Sequence, residues 1–412
     1  MPSRSRLVVV SFALCALCKM SLRAQAPQAD LSRPLTFENA LDLATSRNLG
    51  LEAARRQRAI RDAAVRTARL LPNPDVGVDF TQDVPHYAVT FNIPVEIGGR
   101  RGRRIDLAKE ELTLADVDVQ TEMRSVRHEV RAAFYSLVAA DQQVQLADTA
   151  LTIARSLRDV AQLRFDAGAV PRLEVLQADL GVARAETDLD LARSARTAQQ
   201  AALDGVLNLP PQQTLTLTGT LSDHLTAPAY DQALALATAS NVDLVRLDKE
   251  IGIEQRRLDL VRAERTPTPV FSIGGVFNSP ELSAGIGGSV GIALPIFSRN
   301  QGEIAASIAT TSQLRAQRDA MRRTVETNVF VTLAKIDAQR RQFDAYQQRL
   351  VATAANLETL AEESYRAGRT SVLGVLDAQR NLRDFRREAL QTALDLQLLL
   401  ADLEEILGTA LP

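Results

Sequence analysis

The sequence predicts a mostly α-helical protein with a small β part, organised as a duplicated helix–β-hairpin–long helix–helix unit. Three observations carry this. Two short stretches, residues 74–97 and 269–295, alternate apolar and polar residues with period two. Long flanking stretches repeat apolar residues every seven positions, as packed helices do. Several local motifs occur twice, in the same order.

The alternation is clean. Val76, Val78 and Phe80 interleave with Gly77, Asp79 and Thr81, and Tyr87, Val89, Phe91 and Ile93 with Ala88, Thr90 and Asn92. In the second stretch Phe271 and Ile273 interleave with Ser272 and Gly274. Ala284, Ile286, Val290, Ile292 and Leu294 interleave with Ser283, Gly285, Ser289 and Gly291. Each pair is expected to close through a short turn carrying Pro85 or Pro280.

The 412 residues carry a net charge of −2, with 24 % charged residues, which argues against a nucleic-acid binder. The abundant Ala, Leu, Arg, Asp, Glu and Gln suit long helices. At the N-terminus, Arg4 and Arg6 precede an apolar run, Leu7 to Cys18, that is short for a spanning helix. Ala24-Gln25-Ala26 offers a cleavage site, so residues 1–26 are expected to be an export signal. The two cysteines, Cys15 and Cys18, fall inside it. Each follows a leucine where a lipid-attachment site would want a small residue.

The duplication sets the domain expectation. Asn39-Ala40-Leu41-Asp42-Leu43-Ala44-Thr45, with Asn48 beyond, returns as Gln232-Ala233-Leu234-Ala235-Leu236-Ala237-Thr238 with Asn241. Phe165-Asp166-Ala167-Gly168 returns as Tyr365-Arg366-Ala367-Gly368, and Val175-Leu176-Gln177-Ala178 as Val375-Leu376-Asp377-Ala378. Two units, residues 36–210 and 229–408, are therefore expected, joined by a Pro/Thr-rich link over 211–228.

Within each unit the first helix should stop at Pro72-Asn73-Pro74 or Pro267-Thr268-Pro269. After the strands a helical pattern runs from about Gly102 to Phe165, a rod of about 90 Å. Its seam has two rows. Met123, Val130, Leu137, Val144 and Leu151 form one; Val126, Ala133, Ala140, Ala147, Ala154 and Ala161 form the other. Val329, Ile336, Phe343, Leu350 and Leu357 are the comparable row in the second unit. The pattern breaks at Gly168 and Gly368, so each unit should carry a helical hairpin whose tip lies at its glycine.

Strands of this length match the apolar band of an outer-membrane barrel, about 25 Å tall. Four strands cannot close a barrel, and an open edge in lipid costs several kcal/mol per bare backbone group. Self-association removes both edges, and two, three or more copies each satisfy that requirement.

The motifs Arg164-Phe165-Asp166-Ala167-Gly168 and Tyr365-Arg366-Ala367-Gly368-Arg369-Thr370-Ser371, each followed by its Val-Leu step, resemble the TolC-type outer membrane efflux family over nearly the whole mature chain. The resemblance implies a homotrimer. Four strands per chain would make a 12-stranded β-barrel in outer-membrane lipid, and the long coiled-coil helices an α-barrel below it. Ile93-Pro94-Val95-Glu96-Ile97-Gly98-Gly99-Arg100-Arg101-Gly102 resembles the heavy-metal branch. That branch implies a periplasmic adaptor protein and an inner-membrane resistance-nodulation-division pump as partners. Gly374 stands where some relatives carry an acidic residue, so a carboxylate gate is not implied there.

On this basis Gly168, Ala169, Arg366, Gly368, Thr370 and Ser371 are candidate adaptor-docking residues at the tips. Arg164, Asp166, Glu174 and Tyr365, together with Arg366, are candidates for a network closing the tunnel mouth. Arg100, Arg101, Arg103 and Arg104, just after a strand, are candidates for contact with lipid phosphates. No catalytic, cofactor or metal site is expected: His86, His128 and His224 are far apart, and no phosphate-loop pattern occurs. The expected function is a passive exit duct for metal cations or small toxic compounds. Rival readings are a type I secretion duct and an exported soluble coiled-coil protein of structural or adhesive role.

Overall fold

The computed structural model describes residues 34–83, 87–211, 215–222, 226–277 and 284–411. The expected export signal and the two hairpin turns, with Pro85, Pro280, His86 and His224, lie outside the described residues.

Each half opens with two helices where the sequence reading expected one. α1 (Phe37–Arg47) and α2 (Leu49–Ala68) part at Asn48, and α5 (Tyr230–Ser240) and α6 (Val242–Ala263) part at Asn241. Both asparagines leave the helical conformation, at ψ 123° and 129°. Asn48 Oδ1 accepts from Leu51 N at 2.8 Å; Asn241 Oδ1 accepts from Leu244 N at 3.2 Å. A carboxamide that caps the next helix makes the break cheap.

Two hairpins follow: β1 (Asp75–Phe80) with β2 (Tyr87–Pro94), and β3 (Pro269–Phe277) with β4 (Ala284–Ile292). They join into one antiparallel sheet in the order β1-β2-β3-β4. The register places Val78 opposite Val89, Phe91 opposite Ile273, and Phe271 opposite Val290. One face therefore carries most of the Val, Ile, Phe and Tyr, and the other Asp, Asn, Ser, Thr and Gly with Ala88, Val270 and Val276. The apolar face is bare: Phe80 is 72 % and Ile286 90 % exposed. So much exposed apolar surface on a regular sheet marks a lipid-facing or partner-facing surface.

The remainder is helical. α3 (Arg100–Asp166) runs unbroken for 67 residues, about 100 Å. It begins two residues before Gly102, because Gly99 takes the left-handed conformation (φ 77°) that starts it. α4 (Arg172–Val206) returns along it. In the second half α7 (Gln301–Ala345) leads through a π-helical turn, Tyr346–Leu350, into α8 (Val351–Arg366), and α9 (Val372–Leu407) returns.

The seam of α3 matches its expected rows at Val126, Val130, Leu137, Ala140, Ala147, Leu151, Ala154 and Ala161, all buried. Ala147, Leu151 and Ala154 pack on Ala185, Leu189 and Ala192 of α4. Met123 departs, at 43 % exposed. The second row holds at Val329 and Ile336 and fails at Leu350 and Leu357, which are exposed; Ala354 is buried instead. The π turn is the cause. One extra residue per turn advances the buried face by about 100°.

Between sheet and hairpins lies a belt where the link packs down. Leu35 N donates to Thr216 O at 2.7 Å, Thr218 N donates to Leu35 O at 3.0 Å, and Leu215 and Leu221 are buried. Beside it a buried ion pair, Arg131 with Glu404 at 2.9 Å, holds α3 to α9. Glu404 also accepts from Leu411 N, and Gln397 bridges Arg131 to Leu221 O.

Candidate functional site at the helical tips

The two tips are built alike. Gly168 and Gly368 sit at φ 71° and 74°, where residues bearing a Cβ are strained. Gly168 N donates to Phe165 O and Ala169 N to Arg164 O, both at 2.8 Å. Gly368 N donates to Tyr365 O at 2.9 Å and Arg369 N to Ser364 O at 2.8 Å. This pair of bonds is the glycine C-cap that ends a helix cleanly. Pro171 and Ser371 then start α4 and α9 from extended conformations.

The tips meet through Arg164 and Tyr365. The Arg164 guanidinium lies 4.5 Å from the Tyr365 ring centroid and donates to Tyr365 O at 3.0 Å. Tyr365 Oη donates to Glu174 Oε2 at 3.3 Å. The ring is 1 % exposed, packed with Leu157, Ala161, Ala178, Val372 and Val375. Burial pushes the Tyr365 hydroxyl above its usual value, the Glu174 charge pushes the same way, and Arg164 opposes. The residue is therefore a neutral donor at physiological pH.

Of the expected network, the structure brings together Arg164, Glu174 and Tyr365. Asp166 instead accepts from Gln162 at 2.8 Å, and Arg366 pairs with Glu362 at 3.5 Å, each within its own helix. Gly168, Ala169, Arg366 and Gly368 are exposed at the tips. Gly374 fits under Thr370: a Cβ there would stand 2.9 Å from Thr370 Oγ1.

Above the tips a cleft of about 930 Å³ opens between the two hairpins. Arg184, Arg380, Arg383 and Arg386 line it, with Asp188 and Glu358. Arg383 pairs with Asp188 at 2.7 Å. Burial, then the neighbouring Glu362, raises the Glu358 pKa, against the pull of Arg386. Sequence reading missed this cleft. Its residues come from four helices, α3 and α4 of the first half and α8 and α9 of the second, and no local pattern joins them.

The family model described as outer membrane efflux protein matches residues 40–209 and 233–409. The chain belongs to the outer membrane efflux protein family. It is similar to the cobalt-zinc-cadmium resistance protein CzcC of Cupriavidus metallidurans, at 28 % identity over 85 % of this chain and 84 % of that one. It is also similar to the nickel-cobalt-cadmium resistance protein NccC of Alcaligenes xylosoxydans xylosoxydans, at 27 % identity over 72 % and 68 %. Among solved structures, CusC superposes with a TM-score of 0.75 at 18 % identity, covering 91 % of this chain and 92 % of that one. VceC of Vibrio cholerae gives 0.73 at 15 % identity, covering 91 % and 97 %. These structures share the fold: long helices bearing a small sheet. A channel family, not an enzyme family, is the context for the tips.

In this outer membrane efflux protein the arginines after β2 are held by the chain itself. Arg101 donates to Arg69 O at 2.9 and 2.7 Å; Arg104 donates to Ala68 O and Leu70 O and pairs with Glu96 at 2.6 Å. Arg100 donates to Thr268 Oγ1, and Arg103 lies 3.7 Å from Asp259. Arg101 and Arg104 satisfy carbonyls at and just past the end of α2, and Arg100 and Arg103 tie the start of α3 to the second half. The signal for this was the proline after α2, which leaves those carbonyls without helical partners. Among the described residues, no group of His, Cys, Asp and Glu could hold a metal ion, and no helix is long and apolar enough to cross a membrane.

Proposed function

We propose that this chain is the outer-membrane channel of a tripartite efflux system. It would be a passive exit duct for metal cations or small toxic compounds, fed by an inner-membrane pump of the resistance-nodulation-division type through a periplasmic adaptor. The observation that carries the reading is the sheet, whose exposed apolar face and two unpaired edges stand at one end of 100 Å helices. Lipid satisfies the face, and copies of the chain satisfy the edges. Three copies give a 12-stranded barrel, the number the family resemblance implies.

The tips are the adaptor end. Exposed Gly168, Ala169, Arg366 and Gly368, with Thr370 and Ser371, form the docking surface, and the Arg164–Tyr365–Glu174 contacts hold the mouth closed. Docking opens it by exchanging those contacts. The printed names of CzcC and NccC favour cobalt, zinc, cadmium and nickel ions as cargo. A duct of this kind transports without a resident metal site.

Deletion of the gene in its host, with complementation, tests the reading. Loss of tolerance to cobalt, zinc or cadmium that the wild-type gene restores supports it. Unchanged tolerance to these ions and to common toxic compounds, with release of the protein from membranes by salt or urea alone, refutes it.

A further inference from the structure

The cleft above the tips changes character along its length. α4 and α9 both start at the tips and meet at Gly181, where a Cβ would stand 3.0 Å from the Leu376 side chain. Nearer the tips the cleft is lined by Leu180, Leu373 and Leu376; farther away it is lined by Arg184, Arg380, Arg383 and Arg386. From Leu373 to Arg386, α9 rises about 20 Å. The apolar end is bare: Leu180 is 54 % and Leu373 49 % exposed.

The basic end is only half neutralised. Arg383 is matched by Asp188 and Asp384, and Arg380 lies 3.7 Å from Asp377. Arg184 and Arg386 make no ion pair or hydrogen bond among the described residues; Arg386 feels the charge of Glu358 only at longer range. Gln379 also lines the cleft, and its Nε2 is buried with no acceptor among the described residues. Such a donor is satisfied when a ligand carrying an acceptor enters and the amide turns to it.

We infer that this cleft binds an amphiphilic carboxylate, a fatty-acid-like anion. Its head group is drawn to the basic end by Arg184 and Arg386, and its hydrocarbon covers Leu180, Leu373 and Leu376. The arginine fork matches a carboxylate in two hydrogen bonds. An inorganic anion would leave the leucines bare, and a neutral hydrocarbon would leave the arginines unpaired. The volume, about 930 Å³, is that of a small-ligand site. The unpaired charge is gathered at one end, where a single carboxylate meets it; an acidic partner helix would meet charge spread along the groove. This inference uses only the packing of the two hairpins and does not depend on the proposed channel.

Binding of radiolabelled dodecanoate to the full chain in lipid nanodiscs tests the site, with empty discs subtracting uptake by lipid. Saturable binding of one dodecanoate per chain is expected. Dodecanol and acetate each keep one half of the chemistry and should bind about tenfold more weakly or worse. Arg184→Gln and Arg386→Gln should each weaken dodecanoate binding about tenfold, the loss of one charge-assisted hydrogen bond. Arg387→Gln, outside the cleft, should leave it unchanged. The wild-type chain gives a second readout that needs no substitution: a diazirine-bearing dodecanoate should photolink to peptides around Leu180 and Leu373. No saturable binding, full binding by the double variant Arg184→Gln, Arg386→Gln, or photolinking only elsewhere overturns the inference. A cleft that seats an acidic helix of a partner protein would take no dodecanoate, yet these two substitutions would weaken that partner's binding; this result also overturns it. None of these outcomes alters the number of chains per particle, so the channel reading stands or falls separately.

Discussion

The Arg164 guanidinium stacks 4.5 Å from the Tyr365 ring centroid and also donates to the Tyr365 carbonyl at 3.0 Å. One side chain thereby ties the end of α3 to the end of α8, two segments that reach the tip independently. A cation on an aromatic face and a charge-assisted hydrogen bond together contribute about 2 kcal/mol per chain. Arg164→Ala should therefore shift each chain's closed-to-open ratio by roughly thirty-fold toward open. Single-channel conductance in planar bilayers reads this directly. Tyr365→Phe keeps the ring and loses only the 3.3 Å bond to Glu174, so it should open the mouth less. Equal conductance in wild type and Arg164→Ala would remove this contact from the closing network.

Three glycines at positive φ should differ in their tolerance of alanine. At Gly168 a Cβ meets nothing within 4 Å, so Gly168→Ala should lose only the backbone preference, about 1 kcal/mol. At Gly368 the nearest atom is the end of Arg164, 3.7 Å away, and the loss should be similar. At Gly408, which ends α9, a Cβ would stand 2.0 Å from the Ser240 carbonyl oxygen. Gly408→Ala should lower the melting temperature distinctly more than either tip variant. Equal effects at all three would mean that the belt around Ser240 yields freely.

Glu358 gives the cleft a pH dependence of definite sign. Burial raises its pKa above the ordinary 4.5, so the folded state binds the proton more tightly than the unfolded chain does. Stability from this group is present below 4.5 and is lost as pH rises through the raised value. Glu358→Gln mimics the protonated form. It should raise the melting temperature at pH 7 and leave it unchanged at pH 4. A destabilised Glu358→Gln at pH 7 would show that the carboxylate's attraction to Arg386 outweighs its burial.

The π turn at Tyr346–Leu350 sets which face of α8 reaches the tip. Deleting Gln348 removes the one extra residue, so an uninterrupted α-helix should carry α8 on in its present orientation, with Ala354 and Tyr365 still inward. Circular dichroism should show full helicity, and conductance should match that of the wild type, unlike Arg164→Ala. An opened mouth in the deletion variant would show that the π turn holds the tip by more than its one extra residue.

Features set by local chemistry were legible in the sequence. The strand alternation, the Gly168 and Gly368 tips and most of the α3 seam follow from period two, left-handed glycine and period seven. What escaped depends on neighbours distant in the chain. Leu350 and Leu357 fit the heptad arithmetic, and only the inserted π residue turns them out. Met123 fits equally well, yet nothing packs over it fully at that level. Arg131 interrupts an apolar stretch of α3, but its partner Glu404 lies 273 residues away and gives no local sign. At the tip, Arg164, Glu174 and Tyr365 converge as expected, whereas Asp166 and Arg366 each find a partner one helical turn away. A near partner at i±4 costs less side-chain ordering than a distant one.

The most direct test is the number of chains per particle after extraction from outer membranes with mild detergent, read by native mass spectrometry. Three chains per particle, released by detergent and not by salt or urea, is the predicted result. A single chain that salt or urea releases would leave the exposed face of β1–β4 without lipid and its edges without a second copy, and would contradict a channel.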